Sequence, residues 1–378
     1  MKKRILFILH LPPPVHGAAA VGKYIQDSKL INENFDCTYI NLSTANNLKD
    51  IGKSGFKKLF IFLKLYWKVF VSVARHRYDL CYLTINSGGS AFYKDIVTVF
   101  ILKIFGRKVV YHYHNKGISR YQNKSINNLL YRFQFKNSSA ILLTPLLYND
   151  VAKYLHRDQV YFCPNGIPEI KNINLASLNT IRASNSVPEL LFLSNMIKEK
   201  GVFTILDAGK ILHEKGIQFK INFIGDWFDI SAKEFESYVA YCGLEKNVEY
   251  LGKKYGAEKY SYFEKADMFI FPTFYHNEAF PLVLLEAMQF GLPVISTNEG
   301  GIPDIVTENE TGYIIERENP QALAMKIQYL IENGEKRINM GTASKIKFER
   351  LFCLNVFEKN LNSILETLTN KRTIKTAL

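Results

Sequence analysis

Two glutamates, Glu278 and Glu286, stand eight positions apart in the stretch Asn277-Glu278-Ala279-Phe280-Pro281-Leu282-Val283-Leu284-Leu285-Glu286. Proline is favoured at the first position of a helix, so the stretch predicts Glu278 in a loop and Glu286 inside the helix that follows. A helix start presents free N–H groups, here those of Ala279, Phe280 and Leu282, together with a partial positive charge. Both suit a phosphate or other ligand oxygens. A carboxylate at Glu278 can accept hydrogen bonds from sugar hydroxyls, and one at Glu286 from a ribose diol. The spacing alone does not decide, because a solvated helix face carries glutamates in the same pattern.

Other chemistry-bearing groups stand at expected strand ends. Leu193-Ser194-Asn195-Met196-Ile197-Lys198-Glu199-Lys200-Gly201 follows an apolar run and precedes a helical one. Lys200 is thereby placed to meet a diphosphate at a helix mouth, with Gly201 permitting close approach. Thr297-Asn298-Glu299-Gly300-Gly301-Ile302-Pro303-Asp304 is a second Gly-rich turn entering a helix. Near the N-terminus, His10-Leu11-Pro12-Pro13-Pro14-Val15-His16-Gly17-Ala18-Ala19 leads from a strand into a helix. It contains no G-x-G-x-x-G fingerprint, which counts against a dinucleotide cofactor. His112 and His114 form a His-x-His pair with no carboxylate or third histidine nearby in sequence. His114 is open to three readings: a site residue, a packed structural histidine, or a metal ligand.

The elements that must position these groups alternate between strand-length apolar runs and helix-length periodic stretches, the pattern of parallel α/β sheets. Strands are expected at Arg4–Leu11, Cys37–Asn41, Leu80–Ile85, Lys108–His112 and Ala140–Thr144. In the second half they are expected at Glu189–Ser194, Lys220–Ile224, Val248–Leu251, Met268–Pro272 and Pro293–Thr297. Pro164-Asn165-Gly166-Ile167-Pro168 has turn chemistry, and the polar stretch Lys171–Ser186 reads as an interdomain linker. Two doubly wound sheets would then face a cleft at their strand C-termini. In Phe56–Ala74, an apolar and aromatic stretch, Lys57, Lys64, Lys68 and Arg75 fall within roughly 20° of one line along a helix. The stretch is too interrupted by charge to span a bilayer. It reads either as an interfacial helix with a cationic edge or as a core helix with a narrow solvent face.

With 378 residues, 47% apolar and 22% charged, the chain suffices for two domains with real cores, which excludes a wholly disordered chain. The net charge of +13 is uneven: residues 1–165 hold 24 basic and 8 acidic residues, and the remainder 24 and 27. The surplus points to an anionic partner of the first half. Five scattered cysteines, Cys37, Cys81, Cys163, Cys242 and Cys353, contain no C-x-x-C and point to reduced thiols without a zinc site. The start, Met-Lys-Lys-Arg and a short apolar run broken by His10, reads as a first strand rather than a secretory signal.

From Asn165 to about Ile315 these motifs together resemble the family-4 retaining glycosyltransferases, nucleotide-sugar enzymes of the GT-B architecture. The resemblance implies an N-terminal acceptor-binding domain over 1–165 and a nucleotide-sugar-binding domain over 166–355. A C-terminal helix over 356–378 would return to the first domain. It also implies that Glu278 contacts the donor sugar, Glu286 the ribose, and Lys200 the diphosphate. The backbone from Ala279 through Phe280 and Pro281 to Leu282 would complete the donor site. Asn195 stands where the family has an arginine, which removes one cation from the phosphate clamp. Asp304 replaces a more usual glutamate and receives no role. Gly17 fits the family's glycine loop, with Ala18 in place of a second glycine. His114 best matches a histidine beside the transferred sugar.

The implied catalytic residues are thus Glu278, His114 and Lys200, with no metal and no cofactor. The implied substrates are a nucleoside diphosphate sugar and a saccharide acceptor, read as linked to a lipid such as polyprenyl phosphate, in cell-surface polysaccharide assembly. With the charge asymmetry, the expected setting is the cytoplasmic face of an anionic membrane, without nucleic acid. Alternative classes are a GT-B sugar-nucleotide epimerase or phosphorylase, and a non-catalytic basic protein binding membrane or nucleic acid.

Overall fold

A computed structural model describes residues 2–13, 16–43 and 56–370, with side chains in the last segment described from Phe60 onward. The chain divides into two units, Met1–Gly166 with Leu354–Leu378, and Ile167–Cys353.

The first unit holds strands β1 (Lys3–Leu9), β2 (Phe35–Asn41), β3 (Leu80–Thr84), β4 (Val109–His112), β5 (Ser139–Leu142) and β6 (Val160–Phe162). They form one parallel sheet in the order β2-β1-β3-β4-β5-β6. Its helices are α1 (Gly17–Asp27), α2 (Lys29–Asn34), α3 (Phe56–Arg75), α4 (Gly89–Ile104), α5 (Ile118–Tyr121) and α6 (Ser125–Phe135). The second unit opens with α7 (Leu175–Ala183) and holds strands β7 (Glu189–Leu193), β8 (Lys220–Ile224), β9 (Val248–Tyr250), β10 (Met268–Phe271), β11 (Val294–Thr297) and β12 (Gly312–Ile315). Its remaining helices are α8 (Val202–Glu214), α9 (Ala232–Tyr241), α10 (Gly256–Lys265), α11 (Leu282–Gln289), α12 (Ile302–Ile305), α13 (Pro320–Glu332) and α14 (Gly334–Leu351). The last helix, α15 (Leu354–Asn370), belongs to the first unit, where Asn362 Oδ1 accepts a hydrogen bond from Asn34 at the end of α2.

Leu-Cys-Tyr-Leu-Thr of β3, Met-Phe-Ile-Phe of β10 and Val-Ile-Ser-Thr of β11 are buried at every position. Helices must therefore cover both faces, which is why these strands read as continuous apolar runs rather than alternating ones. The second sheet runs β12-β11-β10-β7-β8-β9, so strand order reverses between β7 and β10. In the first sheet the reversal falls between β1 and β3. At such a point the two following connections leave for opposite faces of the sheet and open a crevice at the strand C-termini. The topology alone thus selects the loops after β7 and β10, and those after β1 and β3.

Three local expectations are corrected. Lys171–Ser186 is not a linker: it contains α7, capped by Asn174 and packed on α10. Arg182 of α7 is buried and donates to the carbonyls of Phe263, Glu264, Phe290 and Gly291. Its guanidinium satisfies the loose carbonyls at the ends of two helices, so a polar segment becomes a packed one. Pro281 is the residue before α11 rather than its first turn, so Ala279 and Phe280 lie in the loop, both buried. Finally, β6 and β12 add an edge strand to each sheet that the expected set does not contain.

Candidate functional site

After β7 the chain makes a single tight turn at Lys198–Lys200 and enters α8 through Gly201, which is left-handed at φ 88°. A Cβ at Gly201 would stand 2.4 Å from the Pro272 carbonyl oxygen, so only glycine permits this approach to the end of β10. Lys200 is thereby delivered to the loop after β10, where its ammonium pairs with the Glu278 carboxylate. Both side chains are largely buried, at 13% and 10% exposure. The ammonium also stands 4.6 Å from the centre of the Tyr275 ring and 5.3 Å from that of Phe271. An ammonium has three donors, so pairing with one carboxylate leaves capacity for a second anion.

The neighbouring residue ties the same two loops together. The Glu199 carbonyl accepts from the Phe274 amide at 2.8 Å, and its carboxylate bonds His276 Nδ1 at 2.8 Å. A third loop braces Glu278 from beneath. Gly300 is left-handed at φ 55°, and a Cβ there would meet the Glu278 carbonyl oxygen at 2.2 Å. Gly301 N–H donates to the Ala279 carbonyl at 2.7 Å. The glycine pair therefore sets the height of the glutamate loop.

Glu286 lies on α11 and pairs with Lys259 of α10 at 2.8 Å, both partly buried. Leu284 N–H bonds the Pro281 carbonyl, so Leu282 and Val283 carry the amides at the open end of α11. Asn195 is half-buried two residues beyond β7, on the connection that delivers Lys200. These residues are brought together in the second unit.

Gly17 and His114 belong to the first unit. Gly17 opens α1, and the preceding His16 caps it by accepting from Ala19 N–H through Nδ1. Pro14 and Val15 of this loop lie outside the described residues. His114 follows β4 with its ring 4.2 Å from that of His112, whose Nδ1 meets the Tyr82 hydroxyl. Burial pushes His114 down to about 3, helped by His16 and opposed by a hydrogen bond to Asn165. His10 is likewise pushed down to about 3, by burial and then by His16, Lys94 and His114. This end of the sheet thus carries neutral imidazoles at neutral pH, able to donate and accept. Among the described residues no three metal-ligating side chains converge.

The sequence reading missed Lys259 and His276 as partners of Glu286 and Glu199. Neither stands in a motif, and a pairing across 27 or 77 positions leaves no periodic signal. It also missed Asp95, a buried carboxyl bonded by the backbone and side-chain N–H groups of Asn86 after β3.

The second unit is a doubly wound α/β domain that gathers a lysine, glutamates and helix amides at the C-terminal ends of its strands. Its residues 179–347 match the family model of the glycosyl transferases group 1, and the two-unit fold is the GT-B fold. Among curated proteins, the chain is 29% identical over 176 residues to the capsular polysaccharide biosynthesis glycosyltransferase CapM of Staphylococcus aureus, covering 47% of this chain and 45% of that one. It is 27% identical over 274 residues to the amylovoran biosynthesis glycosyltransferase AmsK of Erwinia amylovora, covering 71% and 66%. The chain thus spans about half to two thirds of these relatives' lengths. Among solved structures, Anabaena HepE in complex with UDP superposes with a TM-score of 0.74 at 17% identity, over 96% of this chain and 100% of that one.

Two outcomes follow from this geometry. Lys200→Met and Glu278→Gln should each destabilise the second unit, the first by leaving a carboxylate unpaired in a largely buried position, on the order of 3 kcal/mol. The double variant should recover most of that loss, as denaturant unfolding of the four proteins would show; additive losses would mean the two groups do not interact. The second concerns pH. His10 and His114 bind protons in the unfolded chain near the ordinary 6.5 but in the folded one only near 3. Their contribution is present above 6.5 and is lost as pH falls toward 3. Asp95, pushed up to about 6 by burial, works in the opposite direction, but His112 adds to the histidine effect. The unfolding temperature should therefore fall between pH 6.5 and pH 4, and His10→Gln with His114→Gln should flatten that fall.

Proposed function

We propose that the chain transfers a sugar from a nucleoside diphosphate sugar to a hydroxyl of a saccharide acceptor, with retention of configuration, in assembling a cell-surface polysaccharide. The observation that carries this reading is the Lys200–Glu278 pair at the β7/β10 switch point, beside the open end of α11. A diphosphate needs fixed positive potential, which Lys200 and the amides of Leu282 and Val283 supply from groups already oriented by the fold. Glu278 accepts from hydroxyls of the transferred sugar. Glu286, held by Lys259, accepts from the ribose diol. Asn195 offers an amide where a second cation would otherwise stand, so the clamp leans on Lys200. In the first unit, the Gly17 helix start offers free amides and His114 a neutral, hydrogen-bonding imidazole.

In the step itself the bond from the sugar's anomeric carbon to the diphosphate oxygen breaks, and its electron pair leaves with the phosphate. The acceptor oxygen bonds the same carbon from the same face, and its proton passes to the departing phosphate oxygen. The clamp stabilises charge as it develops on that leaving group, which is where electrostatic catalysis contributes most. Because the chain's own groups carry the neutralising charge, no metal or cofactor takes part in this reading. The relatives' printed roles in capsular polysaccharide and amylovoran biosynthesis support the polysaccharide setting, and the UDP complex supports the donor class. The acceptor is read as a saccharide on a lipid phosphate at an anionic membrane face, supported by the +16 carried by residues 1–165.

A panel of nucleotide sugars, screened by thermal unfolding, should contain a donor that raises the transition. At one hundred times its dissociation constant such a ligand adds about 2.7 kcal/mol. A panel without effect would remove the donor assignment. With that donor, Lys200→Ala and Glu278→Ala should each lower turnover about 100-fold, the effect of losing one charged contact to the transition state. Near-normal turnover in Lys200→Ala would sink the clamp. Chelation with EDTA should leave turnover unchanged.

A further inference from the structure

The outer side of the first unit carries apolar side chains that stand exposed among the described residues. On α3, Phe60, Leu63, Trp67 and Phe70 follow helical spacing and are exposed, Phe60 at 71% and Trp67 at 66%. Val69 and Val73 take the buried face instead. On α4 the outward ridge is Tyr93, Val97, Phe100 and Ile104, with Ile104 exposed at 64%, while Phe92, Val99 and Leu102 face the core. Ile126 and Leu129 of α6 extend the ridge. The helices adjoin: the Tyr66 hydroxyl donates to the Lys94 carbonyl, Phe70 packs against Phe105, and Phe100 lies 6.0 Å from Phe133. One continuous apolar face results, wider than the isolated exposed residues of an ordinary surface. A core helix with a narrow solvent face does not describe α3.

Charge says what covers it. Lys64, Lys68 and Arg75 are exposed on one line of α3, about 60 to 80° around the helix from Phe60 and Trp67. The side chain of Lys57, the fourth on that line, lies outside the described residues. No acidic residue stands on α3, and between Asp79 and Asp150 the single acid is Asp95, which is buried. A second copy would bring these cations against their own kind. A cationic protein would find no carboxylate. A lipid surface offers anionic headgroups at the level of the lysines and an apolar layer just beneath, where tryptophan sits well. No described helix is long and apolar enough to cross a membrane. We propose that α3, α4 and α6 form a docking face that seats the first unit on a bilayer containing anionic lipid, with Phe60, Trp67, Phe100 and Ile104 entering the interface and Lys64, Lys68 and Arg75 meeting the phosphates.

The test is co-sedimentation of the full chain with vesicles of phosphatidylcholine alone or mixed equally with phosphatidylglycerol, without donor or acceptor. Binding should be at least tenfold stronger to the mixed vesicles and should weaken with salt. Trp67→Ser with Phe100→Ser and Ile104→Ser should lower it at least tenfold, as should Lys64→Glu with Lys68→Glu. All five positions are exposed, so unfolding temperature and circular dichroism should be unchanged, which separates docking from misfolding. The emission of Trp67 should shift to the blue on vesicle binding, a shift that Trp67→Phe removes. Undiminished sedimentation of the apolar-face variant would overturn the proposal. So would a concentration-dependent dimer that the same variant dissolves. Since no substrate is present, failure here leaves the transfer reading standing, and failure of transfer leaves the docking face standing.

Discussion

A lysine and a glutamate that meet across 78 positions of chain must be delivered from two separate loops, and the second unit is organised around that delivery. Burying an ion pair is favourable only when both partners are held in good geometry, since each gives up its hydration. The holding is done by backbone. Gly201 lets the Lys200 turn approach the end of β10, the Glu199 carbonyl fixes Phe274, and Gly300 with Gly301 supports the glutamate loop. Each contact joins loops that follow β7, β10 or β11, three strands adjacent in the sheet. A displacement of any one strand would move a charge relative to its partner.

Much of this is legible in the sequence. The ten expected strands all exist, because buried parallel strands are written as unbroken apolar runs and need no partner to be recognised. Glu278 lies in a loop and Glu286 in a helix as expected, with Pro281 one residue ahead of that helix. What escaped was whatever depends on tertiary pairing. Arg182 looks like one more polar residue in a loop until four helix-end carbonyls converge on it. Lys259 is an ordinary helical lysine until Glu286 faces it. Local patterning therefore exposed the loops that carry chemistry, while the identities of the supporting partners required the fold.

The two units treat charge differently. In the second, Lys200 pairs with Glu278, Lys259 with Glu286 and Arg337 with Asp267 in buried or partly buried positions, whereas first-unit pairs such as Lys3–Asp79, Arg4–Asp36 and Lys23–Asp27 are exposed. In the first, the strand ends hold histidines that burial keeps neutral, and the positive residues collect on the outside. Neutral imidazoles can bond sugar hydroxyls without repelling a nearby cation such as Lys94, so a polar strand end persists beside a basic surface.

That division bears on the overall surplus of +13. Were it needed to bind the donor, it would lie in the second unit, yet residues 166–378 hold more acidic than basic residues. A diphosphate is a compact anion, and in the proposed reading one buried ammonium with two helix amides would act on it at short range, where the surrounding net charge matters little. A membrane is an extended anion, and attraction to it sums over many exposed cations spread along a surface. The first unit has that distribution, and it has it beside apolar ridges on α3 and α4 that a purely electrostatic contact would not require. Cations alone would fit any polyanion. Cations beside Trp67 and Phe100, on a face without a single exposed carboxylate between Asp79 and Asp150, fit one whose charged surface has an apolar layer beneath it.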